Sequence, residues 1–159
     1  MKRIVAIALM SGIYALCPAA TLSAAEVLAS IQHSGAKVTI AELERRDQWQ
    51  MVTDMISTGD SGWIELVPKL AVASDEAATE DLAISLSVAL PKNAPFVLAV
   101  LAIEHTINAS RVCSMPFSED RVKDRSAYKR QTQHALDEVK DASLAQTKAN
   151  CIATLKRAE

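Results

Sequence analysis

Apolar side chains recur every three to four positions along most of this 159-residue chain, the period of helices with one face against a core. Two-residue alternation between hairpin turns is missing, and alanine and leucine dominate. The pattern predicts an all-α fold, a compact bundle or short stack of about six to seven helices. A first helix is read over Glu26–His33, stopped where Gly35 can take a left-handed cap. Thr39 and Glu42 have the spacing of a capping box, as do Asp47 and Gln50, with Trp49, Val52 and Ile56 on one face of the next helix. Asp60 opens another helix, which turns Trp63, Ile64, Val67 and Leu70 inward and either kinks or ends early at Pro68.

Farther along, Ser74 or Asp75 caps a longer helix carrying Leu82, Leu86 and Ala89, halted at Pro91. Asn93 caps a helix over Phe96, Val97, Val100, Leu101 and Ile103, so apolar that it is expected to be the most buried. Thr106–Ser118 reads as a loop and Glu119–Asp141 as a polar helix with a narrow stripe of Val122, Leu136 and Val139. The last helix, from Ser143, turns Leu144, Cys151 and Leu155 inward. A shift of 33 residues lays Asp60 on Asn93, Trp63 on Phe96, Val67 on Val100 and Leu70 on Ile103. Two readings of this echo stay open: a pair of stacked helical hairpins, or two amphipathic helices that align once their caps are superposed.

The N-terminus has a different pattern. Lys2 and Arg3 precede an apolar run, Ile4–Leu16, then Pro18 and small residues ending in Ser23-Ala24-Ala25. This is the order of a secretory signal peptide, cut after Ala25. The run has 13 residues, short of the ~20 that cross a bilayer. Bulky Leu16 before Cys17 speaks against a lipoprotein. The expected organisation is a signal peptide at 1–25 and one all-α domain at 26–159, periplasmic or secreted, with no membrane span after cleavage.

Export changes the meaning of the cysteines. Cys17 leaves with the leader, and the pair that remains, Cys113 and Cys151, is expected to form a disulfide. The 37 residues between them make a loop whose closure is worth about 4 kcal/mol in the chain-entropy model. The leader also takes two of the 17 basic residues, leaving 15 against 19 acidic ones, a net charge of −4. That balance argues against non-specific binding to nucleic acid or anionic lipid. With 4% aromatics there is no stacking platform, and with four glycines no phosphate-cradling loop.

Residues able to carry chemistry are scattered. His33, His105 and His134 lie in separate segments, without the i,i+4 spacing of a helical metal site, so no metal or cofactor is expected. Glu104 and His105 are adjacent, and neighbours on a helix point about 100° apart. Asp75-Glu76 and Glu80-Asp81 could present an acidic patch to a basic partner, or simply favour a helix N-terminus.

Three segments resemble a known group. Gly59-Asp60-Ser61-Gly62-Trp63-Ile64 followed by Leu70, then Ala89-Leu90-Pro91-Lys92-Asn93-Ala94-Pro95-Phe96-Val97-Leu98, then Val112-Cys113 before Pro116-Phe117 are similar to a family of small exported proteobacterial all-helical proteins of uncharacterised function. The shared positions are caps, turns and core sites. The resemblance implies a periplasmic location and transfers no catalytic residue. The expected function is therefore a non-catalytic periplasmic helical protein that binds another protein, of the immunity or inhibitor type. The alternative is a small exported enzyme whose site gathers Arg45, Arg46, Arg111 and Arg121 around an anionic substrate.

Overall fold

The computed structural model describes residues 22–115 and 121–158. Residues 1–21, where the leader is expected, and Pro116 and Phe117 of the resemblance, lie outside them. The described residues form α-helices and no strand: α1 (Ala24–Ser34), α2 (Ala36–Arg45), α3 (Trp49–Ser57), α4 (Ser61–Ile64), α5 (Val67–Ala71), α6 (Glu76–Ala89), α7 (Ala94–Ile103), α8 (Ala109–Cys113), α9 (Arg125–Glu138), a 3-10 turn (Ala142–Leu144) and α10 (Ala145–Arg157). The all-α class is as expected, with more and shorter segments than periodicity alone resolves.

The centre of the bundle is α6, where Leu82, Leu86, Ala89 and Leu90 are fully buried. Val52 and Ile56 of α3 pack along it, also without exposure. Each such aliphatic side chain contributes roughly 1.5–3 kcal/mol relative to exposure. The indole N–H of Trp49 donates to the Asp81 carboxylate at 2.9 Å and ties α3 to α6 at one end. Buried Ser85 and Ser87 are served locally or across the core. Ser85 Oγ donates to the Asp81 carbonyl, and the Tyr128 hydroxyl of α9 donates to the Ser87 carbonyl at 2.6 Å.

Several local expectations are corrected. Helix α1 starts at Ala24, because Ser23 and Glu26 form a reciprocal capping box: the Ser23 N–H donates to the carboxylate at 2.8 Å and the Glu26 N–H to the serine hydroxyl. The cut expected after Ala25 would remove Ser23, so the box would belong to the uncut chain alone. Helix α2 starts at Ala36, three residues before the expected box. Gly35, at φ +83°, turns the chain directly from one helix into the next. Thr39 then lies inside α2, donating to the Gly35 carbonyl and sitting 3.0 Å from the Ser30 hydroxyl of α1. Asp47 does not cap α3 either. It takes a left-handed conformation, φ 56°, and Gln48 precedes the helix with no side-chain cap.

The helix expected over Asp60–Leu70 is two. Ile64 ends α4, and Pro68 falls in the first turn of α5, where a missing N–H removes no helical bond. Within the expected loop 106–118, Asn108 caps the short α8 by accepting from Ser110 and Arg111 N–H groups. Cys113 of α8 is bonded to Cys151 of α10, with 5.2 Å between Cα atoms and both residues buried. The bridge joins the last helix to the segment after α7, as expected from the cysteine count.

The turn at Gly59 brings two distant parts of the chain into register. Gly59, at φ +88°, comes so close to α6's end that an added Cβ would lie 2.8 Å from Lys92 Cβ. Lys92 Nζ donates to the Ser57 carbonyl at 2.7 Å, and Asn93 Nδ2 to the Gly59 carbonyl at 2.8 Å. The turn before α4 and the turn before α7 are thereby clamped together.

Candidate functional site

Helix α7 contains no polar residue, Ala-Pro-Phe-Val-Leu-Ala-Val-Leu-Ala-Ile. Its inner side buries Val97, Leu98, Val100 and Leu101. Its outer side exposes Pro95, Phe96, Ala99, Ala102 and Ile103. Residues three, four and seven apart share a helix face, so these five form a single apolar stripe. Phe96 is 40% exposed and Ile103 69%. The expectation that α7 is the most buried helix is thus corrected: one face is core and the other meets solvent. Scattered exposed apolar residues are ordinary; a contiguous apolar stripe is the mark of an interaction surface.

A second feature is a cavity of about 480 Å³ between the end of α6 and α9. Val88, Pro91, Val122, Ala127 and Ala135 give it an apolar floor, beside the ring of Tyr128. Burial pushes the Tyr128 phenol up from its ordinary range, against its hydrogen bonding with Ser87. Lys92, Arg121 and His134 reach the rim, with Gln131 and Asp124. The Asp124 carboxylate is already engaged: it caps α9, accepting from the Ala127 N–H at 2.8 Å.

The four arginines of the enzyme alternative do not converge. Arg45 and Arg46 both reach Glu42, at 3.2 and 3.1 Å. Arg111 pairs with Glu80, which holds its guanidinium further into the charged range. Arg121 pairs with Asp54 at 3.1 Å and alone of the four lines the cavity. Three of the four acids at the start of α6 are used within the chain as well: Asp75 caps the helix, Asp81 receives the Trp49 indole and Glu80 holds Arg111. Among the described residues, no group of His, Cys, Asp and Glu has the arrangement of a metal site, and no helix is long and apolar enough to cross a membrane.

Charge is distributed unevenly. Residues 26–104 carry five basic and 12 acidic residues, whereas 105–159 carry ten basic and seven acidic. The stretch from Arg121 to His134 holds five Lys and Arg against Asp124 alone. The net charge of the whole chain conceals this, and the run of cations was the one sequence signal for the cavity's rim. Neither a family model, a curated protein nor a solved structure matches the chain. The reading of its function therefore rests on its own surface and cavities.

Proposed function

We propose that this is an exported, non-catalytic helical protein that works by binding another protein, with the outer face of α7 as the contact. The observation that carries the reading is the unbroken apolar stripe from Pro95 to Ile103. It has no charge to satisfy, so a partner with a matching apolar ridge gains from covering it. The leader-like pattern at 1–25 and the Cys113–Cys151 bridge support an oxidising compartment such as the periplasm. An inhibitor or immunity protein for an envelope-acting toxin is the concrete form of this reading. The enzyme alternative has less support, because its arginines are each held by a nearby carboxylate in separate places.

The test is recovery of the protein from periplasmic extract. Wild type is expected to elute with a stoichiometric partner, and the double variant Phe96→Glu with Ile103→Lys to elute alone. Those charges suit the two ends of α7 and leave the helix intact. Elution of wild type alone under every growth condition contradicts the proposal.

A further inference from the structure

We infer that the cavity between α6 and α9 is a binding site for a small amphipathic anion, a carboxylate on an unbranched apolar chain. The inference stands apart from the α7 contact and rests on different residues. Its volume, about 480 Å³, lies within the range of small-molecule sites, and its walls are mainly apolar. An apolar wall alone would select a neutral hydrocarbon. The polar part of the lining adds direction, because three nitrogen-bearing side chains, Lys92, Arg121 and His134, reach it from three positions in the chain.

Lys92 gives one of its three donors to the Ser57 carbonyl, and Arg121 uses one guanidinium nitrogen on Asp54. Both keep donors for a second acceptor. Their present bonds also hold the two side chains in place, which lowers the entropy lost when an anion arrives. Among the described residues Asp124 is the one acid that lines the cavity, and its carboxylate is tied to the first turn of α9. Floor and rim together fit a ligand with one charged end and one hydrocarbon end.

The experiment is titration calorimetry of the exported protein with decanoate, decanol and methyl decanoate. Decanoate is expected to bind at one site, at least tenfold more tightly than either neutral analogue. Arg121→Gln removes a rim donor and an exposed ion pair of little stability value, and should shrink that preference to threefold or less. Ala127→Leu and Ala135→Leu fill the cavity with a good helix former, and should abolish binding of all three ligands while far-ultraviolet circular dichroism stays unchanged. Three outcomes overturn the inference: no decanoate binding at millimolar concentration, equal affinity for decanoate and decanol, or undiminished binding in both cavity-filling variants. Binding of a carboxyl-terminal apolar peptide in place of decanoate would overturn it too, and would assign the cavity to a protein partner.

Discussion

The segments Asp60–Leu70 and Asn93–Ile103 carry the same sequence pattern and have opposite fates. Trp63 and Leu70 are 4% and 0% exposed; their counterparts Phe96 and Ile103 are 40% and 69%. The inner positions agree, since Val67 and Val100 are both buried. The caps diverge as well. Asp60 accepts the Trp63 N–H, whereas the Asn93 side chain turns back to donate to Gly59. The comparison teaches that periodicity fixes which residues share a face, and tertiary packing decides whether that face has a neighbour.

The largest test of the comparison is truncation of the aromatics. Trp63→Ala is expected to cost about 3–5 kcal/mol in a denaturant titration, and Phe96→Ala about 1 kcal/mol. Equal losses would mean that α7's outer face is covered. The aliphatic pair should behave likewise: Leu70→Ala about 2–5 kcal/mol, Ile103→Ala within about 0.5 kcal/mol. Next comes the clamp between the two turns. Gly59→Ala combines a positive φ with a Cβ only 2.8 Å from Lys92 Cβ, and should destabilise by about 2 kcal/mol.

Cap chemistry sharpens the contrast further. Asp60→Ala should cost about 1 kcal/mol as a lost N-cap. Were Asn93 an equivalent cap, Asn93→Asp would be neutral. It removes the amide donor to the Gly59 carbonyl instead, so a loss of about 1 kcal/mol is expected in the same titration.

The smallest effect lies at α1. The side-chain and backbone bonds from Ser23 hold the Glu26 carboxyl below its ordinary range. A depressed carboxyl stabilises the fold above its unfolded pKa, and that support is lost as pH falls through the folded value. The protection of the Ser23 and Glu26 amides, taken relative to their intrinsic exchange rate, should therefore fall at acid pH in the uncut chain. Chain cut after Ala25 lacks Ser23 and should lose this dependence.

Features with local or covalent logic were legible in the sequence. Asp60 caps as expected and Asp75 is the one of the pair Ser74 or Asp75 that caps α6, because an acceptor three residues before an orphan N–H needs no tertiary help. The Cys113–Cys151 pairing came from there being two cysteines left. Thr39 and Asp47 fit the same signature and fail, since Gly35 lets α2 begin early and the chain reverses at Asp47 itself. The cavity was hidden for another reason. Lys92 and Arg121 lie on different segments, 29 positions apart, and only the folded chain brings both to the lining of one cavity.

The most direct measurement is native-state alkylation of Ile103→Cys and Leu70→Cys, each in the disulfide-bonded chain. A thiol at position 103 is expected to react at the rate of an exposed model thiol, while one at 70 reacts only after denaturant is added. Protection of both positions in the isolated protein would show that α7's outer face is already covered, and would contradict the account.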